Sequence, residues 1–339
     1  MAITSVFHMP FEGKQHARTL TAWPDQISQK DNVDLKGAET DVAAIANAIV
    51  KFEPVTLLCN PKNISKAKAL VSPLVDIKEI EVDELWIRDT GPVYVTDANG
   101  QLVGLDLNFN YWGNKYPGTV DSKVASLALA KDGTKRIQAP FVAEGGAIEV
   151  DGEGTLLATE SSLINDNRNP GMTKADLERH FKSYLGVTKV IWVKGAKDQD
   201  ITDWHIDALA RFACPGTVLL SQPGTESSQV VTDTFKNAKS VLEAETDAKG
   251  RKLQVYEVEE ANPSLFDGEP YQVVLSYLNY LLVNGGVLIP AFGDEAADGK
   301  ALRLFKKVFP DREVAQVHLS TLRRLGGGIH CATQQVPEV

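Results

Sequence analysis

The sequence is poor in cysteine. Its 339 residues carry three: Cys59, Cys214 and Cys331. These are too few and too far apart for a disulfide framework or a zinc ribbon. No apolar run reaches the roughly 18 residues needed to span a bilayer. The start, Met-Ala-Ile-Thr-Ser-Val-Phe-His, lacks the basic segment and apolar core of a signal peptide. The expectation is a reducing, cytoplasmic setting. No Gly-, Ser- or Pro-rich linker and no low-complexity tract interrupts the chain. Positive charge is also in deficit, with 35 Lys plus Arg against 45 Asp plus Glu, a net charge of −10. Such a surface repels nucleic acid and anionic membrane, and mildly suits a cationic ligand.

What is present is an ordinary globular composition, 43% hydrophobic and 24% charged. Runs rich in Val, Ile and Leu and bounded by turn residues read as strands. They are 55–58, 92–95, 155–158, 190–193, 217–220, 253–258 and 286–290. Helical spacing marks 39–51, 173–185, 229–245 and 296–309, the second opening on a Thr173 cap with acids in its first turns. Strands mixed with helices give an α/β or α+β class.

A repeated grammar underlies the mixture. Four times a polar, Gly-containing turn precedes a short apolar strand: Asp97 to Gly100, Asp151 to Gly154, Cys214 to Gly216 and Asn284 to Gly286. The leucines that follow, Leu102, Leu156, Leu219 and Leu288, lie 54, 63 and 69 residues apart. A period near about 60 residues points to a ring of similar modules; chance in a β-rich chain is the alternative. Before each turn stands a polar segment: Trp86-Ile-Arg-Asp-Thr-Gly91, Glu144-Gly-Gly146, Thr202-Asp-Trp-His-Ile-Asp207 and Ser276-Tyr-Leu-Asn279. A fifth, Gly326-Gly-Gly-Ile-His-Cys331, closes the series. Polar residues at one phase of successive modules would converge on a shared axis.

Several of these segments could carry chemistry. Cys331 follows three glycines, which permit φ > 0 or close backbone approach. The other two cysteines sit in apolar stretches and read as core. In an extended segment, Asp203, His205 and Asp207 would share one face. A carboxylate beside a histidine raises its pKa and suits it to donate a proton near neutrality. The bland alternatives are a solvated strand face there, an Arg88–Asp89 surface turn, a tight turn at Glu144, and an inert thiol at Cys331.

Three chemistries can be compared. A zinc hydrolase fails on spacing, since there is no HExxH or CxxC and adjacent His330 and Cys331 would rarely share a metal. A papain-like amide hydrolase needs donors for an oxyanion, whereas Asp89 and Asp207 would oppose one. Attack on a cationic carbon fits the signs best. A guanidinium presents a planar fork of N–H groups that carboxylates accept in bidentate fashion.

The motifs Trp86 to Pro92, Glu144-Gly-Gly with Asp151 to Leu157, Asn165 to Pro170, Thr202 to Asp207, Ser276 to Asn279 with Asn284-Gly, and Gly326 to Gln335 together resemble the agmatine deiminase family. It is also described as the bacterial-type peptidyl-arginine deiminase family. The resemblance runs from Met9-Pro-Phe-Glu and Ala22-Trp-Pro24 to the last cysteine. It implies a pentein-type five-module α/β propeller with pseudo-fivefold symmetry, as one domain over 1–339. It implies hydrolytic deimination of a small cationic guanidine, with no metal and no cofactor, and agmatine yielding N-carbamoylputrescine and ammonia. By motif match Cys331 would be the nucleophile and His205 the general acid and base, while Asp89 and Asp207 would hold the guanidinium. Trp86, Trp112, Glu144, Asn279 and Gly328 would line the pocket. No nucleic acid or membrane partner is expected. A homodimer is the assembly to test, although no apolar stripe marks an interface. This chain carries Trp204 and Ala208 where the family usually has Gly and Asn, and Gly328 runs straight into Ile329 where it usually has one more residue. These differences fall where the far end of a substrate would be gripped. Arginine or peptidyl-arginine deimination to citrulline, transfer of the amidino group to an amine, and a non-catalytic binding ring are the other readings. Arg168, Arg211, Arg323 and Arg324 stand near the motifs and could meet an arginine carboxylate.

Overall fold

A computed structural model of the protein describes residues 7–26, 34–265 and 274–339. Among them the strands form five separate sheets of three or four strands, with helices between, so the class is α/β.

The four Gly-containing turns all close antiparallel hairpins. Val93–Asp97 turns into Leu102–Asp106, Glu149–Val150 into Thr155–Thr159, Ala210–Cys214 into Thr217–Gln222, and Leu281–Val283 into Gly286–Ala291. From each hairpin the chain passes through a helix: Val124–Asp132, Lys174–Leu185, Gln229–Ala244 or Glu295–Val308. It then returns as a strand parallel to the second hairpin strand: Lys135–Gln138, Lys189–Val193, Gln254–Glu259 or Glu313–His318. The fifth sheet joins the two ends of the described chain. Thr333–Pro337 lies antiparallel to His16–Ala22, and helix Leu35–Ile49 leads to Val55–Cys59, parallel to His16–Ala22. Two further strands extend the outer sheets: Phe7–His8 beside Val93–Asp97, and Asp76–Glu79 beside Val55–Cys59.

Local sequence explains these elements. Thr173 and Asp176 form a reciprocal capping box that starts Lys174–Leu185, and Gly186 ends it at φ +73°. Ala38, Val42, Ile45, Ala46 and Ile49 recur at helical spacing and bury one face of Leu35–Ile49. That helix starts earlier than its apolar pattern suggests, because the Asp34 carboxylate accepts from Gly37 N–H. The middle strands are buried on both faces, as Val55–Cys59 and Thr155–Thr159 show, and so read as unbroken apolar runs.

Two expectations change. Cys214 is exposed at the end of its strand, where the register shifts after Phe212, while Cys59 is core. Thr333, Gln334 and Gln335 lie in the fully buried strand Thr333–Pro337. Asp203 to Asp207 is not extended: Asp203 and Trp204 have φ of +59° and +73°, and Ile206–Ala208 is a 3₁₀ turn. Backbone of that kind does not alternate faces, so Asp203 turns away from His205 and Asp207.

Candidate active site

The polar segments that precede the hairpins meet in one place. Asp89 lies on the buried helical turn Ile87–Thr90, tied to the Cys331 backbone by Arg88 N–H to Cys331 C=O at 3.1 Å. Trp112 Nε1 donates to Asp89 Oδ2 at 2.9 Å and Gly146 N–H to Asp89 Oδ1 at 3.2 Å. His205 Nε2 is 3.1 Å from Glu144 Oε2, and its Nδ1 is 3.7 Å from Asp89 Oδ1. Asp207 Oδ2 is 3.7 Å from Cys331 Sγ. Asn279 grips the cysteine at both ends: its Oδ1 accepts from Cys331 N–H at 3.1 Å and its Nδ2 lies 3.1 Å from Sγ.

Glycine leaves the space at the centre. A Cβ on Gly146 would lie 2.6 Å from His205 Nδ1, 3.0 Å from Asp89 Oδ1 and 3.1 Å from Asp207 Oδ2. Three polar atoms thus converge on one point that any side chain here would fill. The triple glycine has equally local reasons. Gly326 sits at φ +98°, a Cβ on Gly327 would strike the Trp86 ring at 2.3 Å, and one on Gly328 would meet Asn279 Oδ1 at 2.8 Å. Trp86 therefore acts as a wall under the glycines, and Gly328 lets Asn279 approach the thiol.

The charges are buried and unevenly tuned. Burial works against a charged His205, but Asp89, the Glu144 hydrogen bond and Asp207 outweigh it and raise its pKa to about 9. Burial, then Asp207 and Asp89, push the Cys331 thiol well above its ordinary value, against the hydrogen bond from Asn279. Burial raises Asp89, opposed by His205. Glu144 is held low despite its burial, chiefly by Arg168 and His205. The surroundings thus favour the charged form of the imidazole and the neutral form of the thiol, beside a surplus of carboxylates.

Positively charged residues stand behind this front. Arg168 Nε reaches both Glu144 oxygens at 2.8 and 3.0 Å, and its Nη1 meets Asp203 Oδ2 at 2.7 Å. Asp203, expected beside His205 and Asp207, instead pairs with Arg168 and with Lys115 at 2.9 Å. Two left-handed stretches shape the wall. Residues 111–114 all have φ between +53° and +85°, braced by Asn110 Oδ1 accepting from Gly113 N–H. Trp204 is likewise held by Asp200 and Thr159 at its N–H and C=O. Left-handed backbone is uncommon for Trp, and such positions concentrate at functional sites.

All nine residues expected from the sequence fall in or against this hollow. A family model described as Porphyromonas-type peptidyl-arginine deiminase matches residues 8–337. The chain belongs to that family. An agmatine deiminase of Stutzerimonas stutzeri is 38% identical, with 98% of this chain and 95% of the relative covered. The solved agmatine deiminase of Enterococcus faecalis superposes with a TM-score of 0.89 at 29% identity, covering 98% of this chain and 96% of that one. An amidinotransferase from Microseira wollei shares the fold at a TM-score of 0.53 and 12% identity, covering 98% and 97%.

The deiminase family motif at Met9 to Glu12 reached the sequence reading only as a mark of resemblance. Its Glu12 proves to be buried against His330, Arg211 and Arg88. Gly146 was legible only as half of a tight turn, since nothing in a sequence says which way a glycine faces.

Proposed function

We propose that the protein hydrolyses agmatine to N-carbamoylputrescine and ammonia through a covalent adduct on Cys331. The carrying observation is the point beside Gly146, where Asp89, Asp207 and His205 converge within 3.1 Å and Asp207 in turn reaches the thiol. A guanidinium placed there presents N–H donors to both carboxylates. Its entry supplies the positive charge the empty site lacks, and the thiol proton leaves to solvent. The thiolate attacks the guanidinium carbon, forming a C–S bond. His205 gives its proton to one amino group, the C–N bond breaks, and ammonia departs. A thiouronium remains on sulfur. Neutral His205 takes a proton from water as the hydroxide adds to carbon. Collapse breaks the C–S bond, the hydroxyl proton returns to sulfur, and the ureido product leaves. Ammonia takes up the solvent proton, so charge and protons balance.

Agmatine is favoured over arginine because Arg168 and Arg211, two of the cations that stand near the motifs, are engaged. Arg168 pairs with Glu144 and Asp203, and Arg211 with Glu12 and Glu149. Neither is positioned to meet a substrate carboxylate. Four sheets each hold a hairpin followed by a helix and a parallel strand, and the fifth keeps that arrangement with its antiparallel pair drawn from the two ends of the described chain; together they support a single pentein-type propeller domain over 1–339 with pseudo-fivefold symmetry. The test is ammonia and ureido release from agmatine, arginine, peptidyl-arginine and simple alkylguanidines, for wild type and Cys331→Ala. Turnover of agmatine, lost in the variant, supports the proposal. Turnover of arginine or its peptides keeps the chemistry and moves the specificity. A guanidine product formed only when an amine is added identifies an amidinotransferase.

A further inference from the structure

A chain of buried ionic contacts runs inward from the substrate hollow, and the mechanism above does not use it. His330 Nδ1 lies 2.8 Å from Asp207 Oδ2, the same oxygen that faces the thiol. His330 Nε2 lies 2.8 Å from Glu12 Oε2. The imidazole thus spans two carboxylates, with both nitrogens engaged. Glu12 Oε2 is in turn 2.8 Å from Arg211 Nη2 and 3.6 Å from Arg88 Nη2, and Glu12 Oε1 accepts from Leu282 N–H at 2.9 Å. Arg211 is completely buried, stacks on the Tyr280 ring at 4.1 Å and also reaches Glu149 Oε2 at 3.2 Å. Glu12 therefore gathers contacts from segments before, within and after the hairpins, and its contact with His330 is the hydrogen-bonded link to Asp207.

We propose that Glu12 is a positioning residue for guanidinium binding: acting through His330, it keeps Asp207 available as a charged, correctly turned acceptor. The proposal rests on reading the hollow as a guanidinium pocket. Asp207 is buried among Asp89 and the thiol, and both burial and like charge disfavour its ionised form. The groups that favour it are His330, His205 and Arg211, and His330 is the one in hydrogen-bond contact. A buried imidazolium is itself costly unless carboxylates pair with it. Here Glu12 and Asp207 do so, with Glu149 also contributing. The charge of Glu12 is offset by Arg211 and Arg88, with Arg312 and the Tyr280 hydroxyl as further neighbours. Without the Glu12 carboxylate, His330 loses one of the two contacts that fix its ring, and Asp207 loses the orientation of the hydrogen-bond partner that favours its ionised form. Asp207 is then ionised over a narrower pH range.

The test uses agmatine as the probe and calorimetric binding to Cys331→Ala protein, so that turnover does not intervene. Adding Glu12→Gln should weaken binding about tenfold near about pH 6, with the deficit shrinking as pH rises toward about 8. His330→Gln should give a deficit of the same kind, and the double variant little further loss, because both act on one path. A loss that is the same at every pH, or losses that add, would make Glu12 merely structural and overturn the proposal, as would unchanged binding. If Glu12→Gln fails to fold, His330→Gln alone decides by the same pH criterion. If the Cys331→Ala parent binds no guanidine at all, the guanidinium-pocket reading is what fails.

Discussion

Replacing Asp207 by Asn should make Cys331 more reactive toward a neutral alkylating reagent while destroying turnover. In the empty site the Asp207 Oδ2 carboxylate stands 3.7 Å from Sγ and is among the causes that raise the thiol. Two unit charges about 4 Å apart interact by about 4 kcal/mol at an effective dielectric constant of about 20. His330, 2.8 Å from the same oxygen, offsets part of that field. Taking roughly half leaves about 2 kcal/mol, or about thirtyfold in the thiolate fraction at fixed pH. The assay is iodoacetamide labelling of the unliganded enzyme, quantified on the Cys331 peptide by mass spectrometry. The exposed Cys214 in the same sample is the internal reference for reagent strength. Turnover should fall by about a hundredfold or more, since a group aimed at the substrate charge is gone. Equal or slower labelling of Asp207→Asn at every pH would refute the idea that the acids hold the thiol protonated until a cation arrives.

Other expectations follow from single contacts. Gly146→Ala should abolish turnover with the fold intact by circular dichroism, because its Cβ would lie 2.6 Å from His205 Nδ1; normal activity would show that the substrate binds elsewhere. Trp112→Phe removes the 2.9 Å donor to Asp89, and the loss of about 1 kcal/mol should appear as a several-fold rise in KM with little change in kcat. His205 has a raised pKa, so its stabilising contribution is complete below about pH 6.5 and fades as pH rises through about 9. It amounts to about 3 kcal/mol, and wild type should lose Tm across that window more steeply than His205→Gln; parallel curves would count against it. kcat/KM should likewise fall above about 9, as the proton donor is lost.

The strands and helices most open to a sequence reader were those buried on both faces or strongly amphipathic. Gly286–Ala291 and Glu295–Val308 lie within a residue of their expected bounds. The outer parallel strands Asp76–Glu79 and Lys135–Gln138 escaped notice because they are polar and partly exposed, and only their pairing to an inner strand makes them strands. Most site residues were legible because they sit in the five polar segments whose order carries the family resemblance, whereas Trp112 lies outside them and came from the resemblance alone. Asp203 was misplaced because the left-handed backbone at Asp203 and Trp204 breaks the alternation a strand would impose. Glu12, Arg211 and His330 were passed over as a set because a buried ionic chain has no sequence spacing. It is assembled from positions 12, 211 and 330, which only the fold brings together.

The account stands or falls on the covalent step at Cys331. Enzyme mixed with agmatine, quenched in acid within milliseconds to seconds and digested, should carry the mass of the thiouronium adduct on the Cys331 peptide. His205→Gln, which lacks the proton donor for ammonia departure, should form that adduct far more slowly than wild type, and Cys331→Ala should show none. Multiple turnovers of agmatine by wild type with Cys331 unmodified at every time, or turnover surviving in Cys331→Ala, would contradict the mechanism.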